Sequence, residues 1–211
     1  MSKHEIISLF GFPVAASEET YVLSQIENKF LLNQETCPNF GKNFTSTDTW
    51  ILNKKPLKKL KNFFQKEIES YAYGILEIDP TIKFYITQSW VNYNPPKSGH
   101  HSHKHPNSIL SGVFYIQGED ISINFGRTLE LLYLGLRYKH YNIFNSTAFE
   151  IGVKKHKLVL FPSTLNHSVK PNTSTTTRVS LSFNTFVTGE LGTEFGPQSA
   201  RRSNLDYLKL K

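Results

Sequence analysis

Residues Arg178 to Asn184 alternate polar and apolar side chains with a period of two, and their polar positions restrict the fold most. Successive side chains of an extended strand point to opposite faces. Val179, Leu181 and Phe183 therefore share one face, and Arg178, Ser180, Ser182 and Asn184 share the other. The apolar face belongs in a core. The polar face would be out of place inside a plain sandwich, but it suits a strand that lines a pocket for a charged ligand. Arg178 offers a planar, two-pronged fork to a carboxylate, and Ser180 a further hydroxyl.

The rest of the chain shows helical periods first and strand periods later. Ile6 to Val14, interrupted by Pro13, reads as a short edge strand. Ser17 followed by Glu18 and Glu19 reads as a helix start, with Val22, Ile26 and Phe30 recurring at helical spacing. A polar stretch from Asn39 to Asp48 follows. Pro56 opens a second helix, in which Leu60, Phe64, Ile68, Tyr71 and Ile75 form one buried stripe and the lysines fall largely off it. From Ile82 the period changes to two: Ile82, Phe84 and Ile86 alternate with Lys83, Tyr85 and Thr87. Further strands are expected at Leu110 to Gln117, Ile121 to Phe125, Lys157 to Phe161 and Arg178 to Val187, punctuated by Pro95-Pro96, Gly118 and Pro171-Asn172. Arg127 to Ala148 has no clean period and reads as an insertion or loop. The fold class is α+β, mainly β, with a sandwich or small barrel in the second half.

Four of the eight histidines lie within Gly99-His100-His101-Ser102-His103-Lys104-His105-Pro106. A His-rich surface loop would look similar and bind metal only adventitiously. Two features point further. A His-x-His pair in extended chain puts both imidazoles on one side, and the cluster runs straight into the apolar strand Ile109 to Ile116. Later, Leu158 to Ser163 is a strand entering a turn, His167 follows four positions on, and ten residues separate His167 from Arg178.

Taken in order, His103-Lys104-His105-Pro106-Asn107-Ser108, Ser111-Gly112-Val113-Phe114-Tyr115, Phe161 to His167 and Arg178 to Asn184 resemble the 2-oxoglutarate/iron(II)-dependent oxygenases of bacterial and phage genomes. Ser89-Trp90-Val91-Asn92 fits as well, and the resemblance spans residues 84 to 187. It implies a double-stranded β-helix (jelly-roll) core over residues 82–188. An N-terminal strand and helices in residues 1–80 would pack on that core, and a basic tail, residues 189–211, would complete a single domain. It also implies Fe(II) on His103, His105 and His167. Arg178, Ser180 and Asn92 would bind 2-oxoglutarate, with His100, His101, Tyr115 and Asn184 placed around the metal or towards substrate. Phe114, Tyr115, Leu160 and Phe183 are candidate walls. The activity implied is oxidation of a substrate C–H bond, with 2-oxoglutarate leaving as succinate and carbon dioxide. One departure stands out: the usual triad is two histidines and a carboxylate, and here His105 fills the carboxylate slot. Glu119 or Asp120 could reach in instead, or the pair could be His101 and His103.

Composition narrows the rivals. A cupin-like three-His enzyme without 2-oxoglutarate is the alternative, but it needs no dicarboxylate site such as Arg178 and Ser180 would make. A non-catalytic metal- or nucleic-acid-binding module is the other. The net charge of +7 is crowded at Lys54, Lys55, Lys58, Lys59, Lys61 and Lys66 and at Arg201 and Arg202, which also fits a solvated helix face and a basic tail. Cys37 is the single cysteine, so neither an internal disulfide nor a Cys-based zinc site can form, and it has no His nearby to activate it. No phosphate-binding Gly-Lys-Ser/Thr loop and no Gly-x-Ser-x-Gly elbow occur. No apolar run suits a signal peptide or membrane span, so a cytoplasmic protein is expected, in the host cytoplasm if phage-encoded. A homodimer is compatible with such folds. The substrate is not specified by any of these residues.

Overall fold

The computed structural model describes residues 11–119, 121–127, 136–191 and 208–210. In chain order the elements are β1 (Ala15–Ala16), α1 (Gln25–Leu32), β2 (Thr36–Pro38), β3 (Phe44–Ser46), two 3-10 turns (Ile51–Asn53 and Lys55–Leu57) and α2 (Lys58–Glu69) with a π-helical extension (Ser70–Ile75). There follow β4 (Lys83–Asn94), β5 (His100–His103), β6 (Leu110–Gln117), β7 (Ser122–Gly126), β8 (Ala148–Gly152), β9 (Leu158–Pro162), β10 (Asn166–Val169), β11 (Arg178–Leu191) and β12 (Leu208–Leu210). The protein is mostly β, in two antiparallel sheets. The larger runs β1-β9-β6-β11-β4-β3-β2, with β12 added to β11; the smaller runs β5-β10-β7-β8.

Both faces of the larger sheet are covered, and parity decides which side chain serves which face. Leu158 and Leu160 of β9, Phe114 and Ile116 of β6, and Val179, Leu181 and Phe183 of β11 are buried with Leu60, Phe64 and Ile68 of α2. The alternate positions, Tyr115, Val159 and Phe161, join Ile123 and Phe125 of β7 to form the contact between the two sheets. On the helix side, the Phe64 ring stacks on Phe183 at 5.1 Å and tilts against Phe114 at 5.4 Å. Three of the four candidate walls are corrected here. Phe114, Leu160 and Phe183 face the helices, being in phase with Leu181, and only Tyr115 faces the second sheet.

A bulge in β4 keeps this division in force along a long strand. Gln88 pairs with Asn184 and Ile86 with Thr185, so Thr87 is the extra residue. Its hydroxyl donates to the Asn184 carbonyl at 3.2 Å. A bulge inverts side-chain parity. Phe84 before it and Val91 after it therefore both face the helices, while Trp90, Asn92 and Asn94 turn to the other side.

Several expectations about the N-terminal third are corrected. The first helix starts at Ser24, not Ser17. Ser24 accepts from the Glu27 amide and the Glu27 carboxylate accepts from the Ser24 amide, a capping box. Ser17 instead extends the β1–β9 ladder, its amide donating to the Leu158 carbonyl at 2.8 Å and its hydroxyl accepting from the Leu158 amide at 3.1 Å. Val22 and Ile26 are consequently exposed, and Leu31 carries the buried face. Of the expected Ile6 to Val14 strand, residues 11 to 14 are irregular, with the strand beginning at Ala15, and the remainder lies outside the described residues. The polar stretch after Asn39 belongs to a β2–β3 hairpin, and Cys37 sits exposed on β2. Of the stretch read as an insertion, Arg127 to Ala148, the last residue opens β8. In the second helix Leu60, Phe64, Ile68 and Tyr71 are buried as expected, but Ile75 is half exposed. The Leu76 amide bonds the Tyr71 carbonyl, a π-type spacing that advances the helix by more residues per turn and buries Ala72 in place of Ile75.

These contrasts set an expected result. Phe64→Ala should cost about 3–5 kcal/mol by emptying the helix–sheet core, whereas Ile75→Ala should change stability by less than about 0.5 kcal/mol. Urea unfolding of both variants measures this, and similar losses in the two would contradict the π-helical register.

Candidate metal centre and adjoining anion pocket

Register across the smaller sheet brings the first two imidazoles together. His103 of β5 lies directly opposite His167 of β10, and His167 opposite Phe125 of β7. Directly opposed residues on one face have neighbouring side chains, and the His103 and His167 ring centroids are 4.4 Å apart. His105 lies just past the end of β5, where its amide donates to the Ser163 carbonyl at 3.0 Å. Its ring stacks on Trp90 at 5.7 Å and meets the other two at 5.1 Å and 4.9 Å. One ligand-type atom from each of His103, His105 and His167 falls within 4.8 Å of the others.

The ring tautomers follow from the acceptors behind them. Nδ1 of His103 faces the His101 carbonyl at 2.8 Å and Nδ1 of His167 the Leu165 carbonyl at 3.0 Å. A carbonyl only accepts, so both Nδ1 atoms carry the proton. Nδ1 of His105 likewise donates to Oδ1 of Asn184. All three Nε2 atoms are then lone-pair acceptors, and those of His103 and His105 face each other at 3.2 Å with no proton between them. Two acceptors at that distance repel; a cation among the three turns repulsion into coordination. Burial also favours the neutral form that ligates. It pushes His167, packed 4.8 Å from the Phe161 ring, down to about 3 and lowers His105, against which Asn184 acts the other way.

Beside the imidazoles is a cavity of about 290 Å³ between the sheets, lined among others by Trp90, Asn92, Asn94, Tyr115, Arg178, Ser180 and Ser182. Arg178 is only 4% exposed, and its one hydrogen bond to a described residue runs from Nη2 to the Lys170 carbonyl at 2.9 Å. Among the described residues no carboxylate pairs with it. Burial lowers its pKa, yet guanidinium stays charged in proteins, so the cavity holds a fixed cation. Gly118 makes room for it: φ is +140°, and a Cβ there would lie 3.0 Å from Cγ of Arg178. Two buried polar atoms of the same cavity have no partner among the described residues, the Tyr115 hydroxyl and Nδ2 of Asn94. Burial pushes the Tyr115 hydroxyl up, so it is held as a donor. An unpaired cation beside two unsatisfied donors is a site for an anion.

The other residues singled out in the sequence fall into place around this core. Asn92 lines the cavity, but its amide is engaged: Nδ2 donates to Ser182 at 2.9 Å and Oδ1 accepts from Trp90 at 3.1 Å. Ser180 lines the cavity. His100, pushed down to about 4 by burial, accepts at Nε2 from Asn43 at 2.8 Å. His101 is exposed at the cavity rim beside Phe40, its ring 5.1 Å from that of His103, and it is not one of the three histidines whose ligand-type atoms converge. Glu119 is exposed in the turn after β6 and lines no part of the cavity, and Asp120 lies outside the described residues. Asn94 escaped the sequence reading, although alternation from Trp90 through Asn92 puts it in phase with both.

Residues 88–184 match a family model described as "Putative 2OG-Fe(II) oxygenase". Three solved structures share the fold at low identity. An oxidoreductase of the 2OG-Fe(II) oxygenase family from Burkholderia pseudomallei has a TM-score of 0.56 and 10% identity, over 82% of this chain and 83% of that one. HygX from Streptomyces hygroscopicus, solved with nickel, 2-oxoglutarate and hygromycin B, has a TM-score of 0.55 and 10% identity, over 82% of each chain. A Pseudomonas putida prolyl-4-hydroxylase has a TM-score of 0.52 and 12% identity, over 82% and 92%. No curated protein matches the chain by sequence.

Neutrality of His167 also links to folding. Its folded pKa of about 3 lies below the ordinary 6.5, so it contributes stability above about pH 6.5 that is lost as pH falls towards 3, where the unfolded chain takes up the proton first. Thermal unfolding of the metal-free protein across this range should show a shallower pH slope in His167→Asn than in the wild type; equal slopes would refute the assignment.

Proposed function

We propose that this chain, whose residues 88–184 belong to the 2OG-Fe(II) oxygenase family, binds iron(II) on His103, His105 and His167 and 2-oxoglutarate against Arg178, and hydroxylates a substrate C–H bond. The observation that carries the reading is the union in one cavity of three convergent imidazoles with a buried guanidinium that has no carboxylate partner among the described residues. When bound, metal and cosubstrate supply dioxygen activation: one oxygen atom enters the substrate, and 2-oxoglutarate leaves as succinate and carbon dioxide. The two facing sheets are read as a double-stranded β-helix, with residues 82–188 as its core and the whole chain as one domain.

The protein's own contribution is placement and charge. Arg178 takes the far carboxylate of the cosubstrate in a two-pronged hydrogen bond, and Ser180, the Tyr115 hydroxyl and Nδ2 of Asn94 complete its donor set. Tyr115 and Asn94 each have a partner to gain, since neither donor has one among the described residues. Asn92 braces the wall through Ser182 and Trp90 rather than supplying a free donor. Val113, Ile123 and Val169 keep apolar surface at the cavity and limit water there. Three neutral imidazoles leave more positive charge on the metal than two and a carboxylate would, and the dianionic cosubstrate offsets it. A cupin-like reading leaves the buried Arg178 and the two free donors without purpose.

Anaerobic addition of iron(II) and then 2-oxoglutarate should give a weak visible charge-transfer band. Arg178→Ala should weaken cosubstrate affinity about tenfold to a hundredfold, the scale of a lost charged hydrogen bond. His167→Ala should lose iron binding while remaining folded. Iron binding with no band, or a band indifferent to Arg178, would overturn the cosubstrate assignment.

A further inference from the structure

Of the three imidazoles, His105 alone has its Nδ1 proton held by a side chain. The acceptors behind His103 and His167 are carbonyls of their own strand segments, each two residues away. Behind His105 stands Oδ1 of Asn184, on β11 of the opposite sheet. Asn184 is 8% exposed and is itself anchored. The Ser111 hydroxyl donates to the same Oδ1 at 3.0 Å, Ser111 meets the fully buried Ser163 hydroxyl at 2.8 Å, and Ser163 meets Ser108 at 2.7 Å. The chain of hydroxyls closes on the backbone of both strands. With the chain directed at Oδ1, Ser108 donates to Ser163 and Ser163 to Ser111; Ser108 accepts from the Thr185 amide at 3.3 Å, the Leu110 carbonyl 3.1 Å away is its alternative acceptor, and the Ser163 carbonyl accepts from the His105 amide.

An amide has two faces with opposite consequences. With Oδ1 towards the ring, Nδ1 keeps the proton and Nε2 is a ligand. With Nδ2 towards the ring, Nδ1 must accept, the proton moves to Nε2, and it points at Nε2 of His103 3.2 Å away, occupying the place of a metal. In the first orientation the Ser111 hydroxyl donates to Oδ1 at 3.0 Å, and only that orientation leaves Nε2 of His105 free to ligate.

We infer that Asn184 is the positioning residue that makes His105 a metal ligand, fixing its tautomer and ring plane from the opposite sheet, and that the Ser111-Ser163-Ser108 hydroxyl chain fixes Asn184. The inference rests on the three-histidine reading given above. It assigns to β11 a second duty besides carrying Arg178: one strand binds the anion at one end and orients a metal ligand six residues further on.

Cobalt(II) titration of the metal-free protein, followed by the visible ligand-field bands, tests this with Asn184→Leu and Asn184→Asp beside the wild type. Leucine has similar bulk but no acceptor, and should lower cobalt affinity about 10- to 100-fold. Aspartate still accepts from Nδ1–H, and should keep affinity within about threefold of wild type while shifting the bands, because a carboxylate makes the imidazole a stronger donor. Nitrogen NMR of the zinc-loaded wild type should find the His105 proton on Nδ1, a result independent of how well the variants fold. Wild-type affinity in the leucine variant, an equal loss with aspartate, or a proton on Nε2 would each overturn the inference. Cobalt binding by the wild type with leucine unaffected removes this inference alone; absence of cobalt binding by the wild type removes the three-histidine reading with it.

Discussion

Three imidazole lone pairs facing one another across a few ångströms are unfavourable until a cation enters, and much of the surrounding structure serves to hold them there. Each ring is fixed from behind by an oxygen acceptor, two of them backbone carbonyls and one the Asn184 side chain. The β5–β10 register sets the separation of the first two rings, and the crossing of His105 towards the larger sheet brings in the third. The protein thus carries an electrostatic tension that no rotamer change within the cluster relieves, since turning a ring would forfeit its Nδ1 bond. The same logic applies to Arg178, a buried cation lacking a carboxylate partner among the described residues. Metal and anion sites are in this sense one problem: each buries charge-seeking groups whose stabilisation arrives with a ligand.

The sheet can bear this because its other face is an ordinary core. β6, β11 and β4 each give alternate residues to the helix-side core and to the cavity, so the packing of Phe64 against Phe114 and Phe183 supports the strands whose opposite residues are left unsatisfied. Sites commonly keep such imperfect groups on a well-packed scaffold.

How far this was legible in the sequence depends on the range of the interaction. The strand alternation from Arg178 to Asn184 identified both faces of β11 without any knowledge of the partners, because period two is a property of the backbone. The histidines could be gathered by order and spacing, and His103, His105 and His167 do meet. What failed was decided by contacts distant in the chain or by small changes of period. Ser17 looked like a helix cap until the β1–β9 ladder claimed its amide and hydroxyl, and Ile75 left the buried stripe because the helix widened at its last turn. Phe183 lies on the helix side, as its parity with Leu181 requires, and not on the cavity wall. The hydroxyls of Ser108, Ser111 and Ser163 give no periodic signal at all; only the fold brings them into one chain.

The extra residue at Thr87 bears on how the protein is to be compared with its relatives. On the two sides of that bulge β4 is read in different frames: odd-numbered positions after it do the work that even-numbered positions do before it. At identities of about a tenth, alignments of strands lean on ladder spacing more than on residue type. Were such an alignment to carry β4 through without a gap at this point, cavity residues of one protein would be matched to core residues of the other for the rest of the strand. Trp90, Asn92 and Asn94 would then look unrelated to positions that occupy the same space. Resemblance around the cavity is therefore better measured by superposed side-chain direction than by aligned letters, and the bulge marks where the two descriptions part.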